Sequence, residues 1–208
     1  MSFDKMHVVV TGAAGGLGPS VVEAFKAGGA TVYTPTRAEL DLTDEAAVTK
    51  YYASLPPLWA SVHVAGGFAM APLLDTRLSD LEGQWKLNTV TAFLCCREAA
   101  RSIKKSGQGG RIVNVGSQVV FAPPAGKAVY TASKAAVVAL TKSIAAELRA
   151  ERIFVNSVLP DTIDTAANRA AMPKADFSKW TTPKAIAATI AWLASAENTS
   201  VTGADVPV

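Results

Sequence analysis

The chain alternates short apolar runs with longer stretches in which apolar residues recur every three or four positions. His7 to Val10 is mostly β-branched with no polar alternation, the pattern of a strand buried on both faces. Thr11-Gly12-Ala13-Ala14-Gly15-Gly16-Leu17-Gly18 follows, and Val21, Val22, Ala24 and Phe25 then mark a helix closing at Gly28-Gly29. Ala30 to Tyr33 predicts a second strand. A third is expected near Leu40 to Leu42, with no full helix between the two. Asp44 to Leu55 predicts a helix stopped by Pro56-Pro57, and Ser61 to Val64 a strand running into Ala65-Gly66-Gly67. Leu78 to Lys105 reads as one long helix ended by Gly107 to Gly110. Strands at Arg111 to Val115 and Ile153 to Val158 flank an alanine-rich helix, Ala128 to Ala150. Pro183 to Ala196 is a helix with Pro in its first turn, and Ala204 to Val208 is a last short strand.

Apolar strands alternating with helices predict an α/β fold: one doubly wound, Rossmann-type parallel sheet with helices on both faces. No repeat or linker divides the chain, so residues 1–208 are expected to form a single domain. Ala166 to Thr182 has little helix or strand pattern but carries Phe177 and Trp180, and is expected to be a loop on the substrate side of a site.

Half of the 208 residues are hydrophobic and 18% are charged, which excludes disorder. Twenty Lys and Arg against seventeen Asp and Glu leave +3, too little to argue for nucleic acid or an anionic membrane as a partner. The two cysteines, Cys95 and Cys96, are adjacent and poorly placed for a structural disulfide, so a reducing, cytoplasmic location is expected. Met1 to Met6 lacks the apolar run of a signal peptide, and no apolar stretch reaches the ~18 residues of a membrane span. No His, Cys or acidic cluster has metal-ligand spacing, so no metal is expected.

The glycine turn sits between a strand and a helix, where glycines let the backbone approach a pyrophosphate and the helix offers free N–H groups. Taken alone it is also an ordinary tight turn. Tyr130 and Lys134 lie four apart on a predicted helix and so share a face. A nearby ammonium favours phenolate, which would suit Tyr130 as a general acid or base. Each of these residues, and Ser117 and Asn88, also has a plain structural reading; it is their order along the chain that points to chemistry. His63 is read as a structural strand-end residue.

In that order the residues resemble the short-chain dehydrogenase/reductase family. Gly12, Gly16 and Gly18, with Gly15 extra, match its T-G-x-x-x-G-x-G turn. Val64-Ala65-Gly66 looks like the end of its N-N-A-G motif, Arg111 to Ser117 like its serine-bearing strand, and Tyr130-Thr131-Ala132-Ser133-Lys134 like its Y-x-x-x-K. Within the family, His63 to Ala69 and Val158 to Trp180 resemble the dihydropteridine reductases. That subgroup lacks the Ser and the Asn that this chain has at 117 and 88. The resemblance implies an NAD(P)(H)-dependent oxidoreductase acting on a small carbonyl or alcohol, with Asn88, Ser117, Tyr130 and Lys134 catalytic. Asn88 would hold a water that links Lys134 to solvent. It further implies cofactor contacts from Gly12, Gly15, Gly16, Leu17, Gly18, Arg37, Asp41, Ala65, Gly66, Tyr130, Lys134, Pro160, Thr162 and Thr165, and substrate contacts from Asn168 and Trp180. A quinonoid dihydropteridine reductase-like activity is the alternative, and a non-catalytic nucleotide sensor on the same fold is another. Thr34, Thr36 and Arg37 at the end of the second strand favour NADP(H) over NAD(H), unless Glu39 points inward. A homodimer or homotetramer built on the two long helices is also implied.

Overall fold

The computed structural model describes residues 1–208. Its sheet has six strands, β1 (His7–Thr11), β2 (Thr31–Tyr33), β3 (Ala60–His63), β4 (Gly110–Val115), β5 (Ile153–Leu159) and β6 (Asp205–Pro207), in the order β2-β1-β3-β4-β5-β6. Every neighbouring pair is parallel. The chain passes from β1 to edge strand β2, then crosses back over β1 to β3. Ligands of such sheets bind at this reversal, outside the carboxyl ends of the strands.

Helices cover both faces. Val8, Val10, Val62, Val113 and Val158 point to one side, where α1 (Gly18–Ala27) and α7 (Pro183–Ala194) bury Val21, Phe25, Ile186 and Ile190 against them. Val9, Ile112, Ile153 and Val155 point to the other, against α2 (Glu45–Ser54), α4 (Thr91–Lys104) and the C-terminal half of α5 (Ala128–Leu148). The period of two in a strand therefore separates two cores. The helix starts carry the caps their sequences suggest. Asp44 accepts the Ala47 N–H, Thr182 accepts the Ala185 N–H, and Pro lies at the first turn of α1 and α7.

The third strand expected near Leu40 to Leu42 is absent. The segment folds into consecutive turns because its own side chains satisfy its backbone: Glu39 accepts from Thr36 N at 2.9 Å, and Asp41 accepts from Thr43 N at 2.9 Å. Leu40 is buried, as its apolar character requires, but on a turn. The long helix is continuous from α3 (Leu78–Gln84) to α4, with a π-helical turn, Trp85–Val90, inserted around Asn88. The segment after residue 165 is more regular than expected, with α6 (Ala166–Ala171) and a 3₁₀ turn, Phe177–Lys179. It is pinned at its base by an isolated Ile163–Thr181 bridge. No helix is long and apolar enough to cross a membrane.

Candidate active site

A cavity of about 670 Å³ runs along the carboxyl edge of the sheet, from the glycine turn after β1 to the ends of β3, β4 and β5. At one end Gly12 has φ +72°, and a Cβ there would lie 2.5 Å from the Ala65 backbone nitrogen, so only glycine fits between β1 and β3. A Cβ on Gly16 would lie 2.7 Å from Thr165 Cγ2. Thr165 itself caps α6 by accepting the Asn168 N–H at 3.2 Å. The turn and the post-β5 segment are therefore built against each other with room for backbone alone, a cradle that suits a pyrophosphate.

Ser117, Tyr130 and Lys134 lie together on the wall at the other end. Ser117 follows β4 in extended backbone, is buried, and accepts weakly from Val119 N at 3.5 Å. Tyr130 and Lys134 occupy the first two turns of α5. Lys134 is buried, and its Nζ donates to the Val115 carbonyl at 2.8 Å, two residues before Ser117. Burial, with no carboxylate to offset it, lowers the Lys134 ammonium from 10.5 to about 8. Burial raises the Tyr130 phenol, and the neighbouring Ser117 hydroxyl offsets part of the rise. The expectation that the lysine lowers the tyrosine is thus not met between these two groups alone: the ammonium is directed to Val115, and desolvation dominates the phenol.

Asn88 stands behind this wall. Its Oδ1 accepts from Gly67 N at 2.9 Å, and the two hydrogens of Nδ2 are shared among Gly67 O at 3.1 Å, Gln84 Oε1 at 3.2 Å and Ser133 Oγ at 3.1 Å. Both ends of the amide are thus bonded to protein. What it does is fasten the loop after β3 to α5, since Ser133 in turn donates to Tyr130 O at 2.7 Å. Gln84 and Ser133 were not singled out from the sequence. Their signal was spacing: Gln84 is one turn before Asn88, and Ser133 adjoins Lys134 inside the Y-x-x-x-K.

Of the remaining expected residues, Gly12, Gly15, Gly16, Leu17, Arg37, Asp41, Ala65, Gly66, Pro160, Thr165 and Asn168 line the cavity. Gly18 begins α1, pressed against the Gly12 carbonyl. Thr162 is turned to the base of the later segment, its carbonyl accepting from Thr181 N at 3.2 Å, and is not on the wall. Trp180 is not on the wall either; it packs on Phe177 with ring centroids 4.7 Å apart. Arg37 faces the cavity while Glu39 does not, its carboxylate being held by the Thr36 N–H and hydroxyl at 2.9 Å each.

Beneath the site lies a buried polar chain that the sequence did not suggest. Tyr52 Oη meets Ser61 Oγ at 3.0 Å, Ser61 meets His63 Nε2 at 2.9 Å, His63 Nδ1 meets Asn114 Oδ1 at 2.8 Å, and Asn114 Nδ2 donates to Thr141 Oγ1 at 2.9 Å. Burial lowers His63 to about 4, so it is neutral and structural, as expected. The Cys95 and Cys96 thiols beside it are pushed up to about 12 by burial, which leaves them unreactive near neutral pH.

Comparison with known proteins gives the same family. Residues 36–176 match the family model described as short chain dehydrogenase. Carbonyl reductase [NADPH] 2 of Sus scrofa is 33% identical over 186 residues, covering 81% of this chain and 76% of the relative. A short-chain type dehydrogenase/reductase from Mycobacterium marinum superposes with a TM-score of 0.90 at 27% identity, covering 100% of this chain and 94% of that one. The fold is also that of ElxO solved with NADP bound, TM-score 0.90 at 24% identity, covering 98% of this chain and 97% of that one. The chain belongs to the short-chain dehydrogenase/reductase family of NAD(P)-dependent oxidoreductases.

Proposed function

We propose that the protein interconverts a small-molecule carbonyl and its alcohol, with Tyr130 as the acid and base. The observation that carries this is the convergence of Ser117, Tyr130 and Lys134 on one wall of a cavity whose far end is the glycine cradle. The residues around that cavity fit a nicotinamide dinucleotide: the Gly12 to Leu17 backbone for the pyrophosphate, Arg37 and Asp41 for the adenosine, and Lys134, Pro160 and Thr165 towards the nicotinamide end. When bound, that group supplies or accepts the hydride. Tyr130 gives its phenolic proton to the carbonyl oxygen as the alcohol forms, and takes it back in the reverse direction. Ser117 donates a hydrogen bond to the same oxygen and holds it within reach of the phenol. The Lys134 ammonium, held by the Val115 carbonyl on the same wall, adds positive charge at this end of the cavity, which favours the phenolate left after proton transfer. Asn88 and Ser133 fix the orientation of the first turn of α5.

NADP(H) is the preferred form. Arg37 lines the cavity and the competing Glu39 carboxylate is spent on Thr36, which leaves a guanidinium for a 2′-phosphate. The name of the pig relative, which includes NADPH, agrees with this. Leu78, Leu81, Trp85 and Phe93 expose apolar area along the α3–α4 helix, which supports self-association through that helix. The test of the reaction is oxidation of NADPH and NADH, followed by absorbance, with a panel of aldehydes and ketones. Carbonyl-dependent oxidation is expected. Tight cofactor binding with no turnover of any carbonyl or alcohol would leave a nucleotide-binding protein instead.

A further inference from the structure

We propose that the site selects uncharged carbonyl compounds with an aromatic or bulky apolar body, and that Phe68 is the residue that selects them. This rests on the reading above, in which Tyr130 and Ser117 hold the carbonyl oxygen.

Phe68 is aimed by its neighbour. Asn88 clamps Gly67 through both its N–H and its carbonyl, at 2.9 and 3.1 Å, and so fixes the direction in which the chain leaves β3. The Phe68 ring then meets the Tyr130 ring edge-on, centroids 5.0 Å apart and planes at 82°. Phe68 lines the cavity yet is 55% exposed, so much of its ring lies uncovered beside the proposed acid. Met70, 59% exposed, continues the apolar edge. Ala71 N donates to Gly126 O at 2.9 Å and ties this strap to the loop that carries Phe121, itself 57% exposed. A substrate whose carbonyl reaches Tyr130 would extend its body over this apolar ground.

The charges agree. The charged residues on the cavity wall are Arg37, Asp41, Lys134 and Asp161. Arg37 and Asp41 belong to the turn segment after β2, at the far end. Lys134 is buried behind Tyr130 on the Val115 carbonyl. Asp161 is a carboxylate. The nearby Arg169 is paired with Asp164 through two bonds of 2.6 and 2.8 Å, and Lys127 lies over the Phe68 ring at 5.3 Å, outside the cavity lining. A carboxylate on the substrate would therefore lose hydration and share the cavity with Asp161, and the cation nearest the Phe68 ring, Lys127, stands outside the lining.

The test compares kcat/KM for benzaldehyde, 4-carboxybenzaldehyde and propanal in the wild type, Phe68→Ala and Phe68→Trp. The wild type should prefer benzaldehyde to its carboxylate analogue by about tenfold or more. Phe68→Ala should lower the benzaldehyde-to-propanal ratio about tenfold, chiefly through KM, and Phe68→Trp should restore it. Equal or faster turnover of 4-carboxybenzaldehyde overturns the charge argument. An unchanged benzaldehyde-to-propanal ratio in Phe68→Ala overturns the role of Phe68, whatever its effect on overall rate. A wild type that binds cofactor but reduces none of the three overturns the underlying reading and this proposal together.

Discussion

Replacing Lys134 with Met should make the protein more stable and less active at once. The ammonium is buried, and burial lowers it from 10.5 to about 8. That fall corresponds to ~3 kcal/mol of destabilisation while the group stays charged in the fold. The sign follows from proton counts. Between pH 8 and 10.5 the unfolded chain binds the proton and the folded one does not, so wild-type stability rises with pH through that window. Below pH 8 both forms are charged and the whole penalty is present. Methionine fills a similar volume without it, but removes the donor to the Val115 carbonyl, 2.8 Å away. A carbonyl left unsatisfied costs about 1–3 kcal/mol, so the net gain at pH 7 is about 0–2 kcal/mol. For a chain of this size that is a rise of up to about 8 °C in melting temperature. Cofactor affinity should fall about tenfold or more with loss of a charge-assisted contact, and turnover should fall further. Thermal melting of the cofactor-free protein at pH 7 and pH 10, with cofactor titration, checks both parts. A variant that melts below the wild type at pH 7, or binds cofactor with unchanged affinity, would refute the reasoning.

His63, lowered to about 4 by burial, stays neutral in the fold while the unfolded chain takes up a proton near 6.5. Stability from this group is therefore present above about pH 6.5 and is lost as pH falls towards 4; His63→Gln should lose less stability than the wild type between pH 6.5 and 4.5 by urea titration, and parallel curves would count against it. Arg37→Glu should move the ratio of NADPH to NADH affinity about tenfold or more towards NADH, measured by titration of each. A wild type that already prefers NADH would contradict the assignment of Arg37.

The strands and helices that could be read from the sequence are those whose burial pattern is set locally. β1, β3, β4 and β5 are short apolar runs soon followed by Gly or Pro, α1 and α7 begin with Pro in their first turn, and α2 runs from the Asp44 cap to Pro56-Pro57. The segment from Thr36 to Thr43 misled because Leu40 and Leu42 have the alternation of a strand, while Thr36, Glu39, Asp41 and Thr43 bond their own backbone and win. The π turn at Asn88 was not legible, because it depends on Gly67 and Ser133, which are distant in sequence. The same reason hides the His63–Asn114–Thr141 chain. Thr162 and Trp180 were assigned by resemblance, and their place is decided by the Ile163–Thr181 bridge and by the Phe177 ring, neither of which a linear motif encodes.

The central claim is that the Tyr130 hydroxyl carries the proton. Tyr130→Phe removes one oxygen and keeps the ring that packs edge-on against Phe68. Single-turnover oxidation of bound NADPH by a carbonyl substrate, measured beside the cofactor dissociation constant, tests it most directly. The account predicts a rate lower by about 10² to 10⁴ with cofactor affinity within a few fold of wild type. Hydride transfer at the wild-type rate in the phenylalanine variant would contradict it.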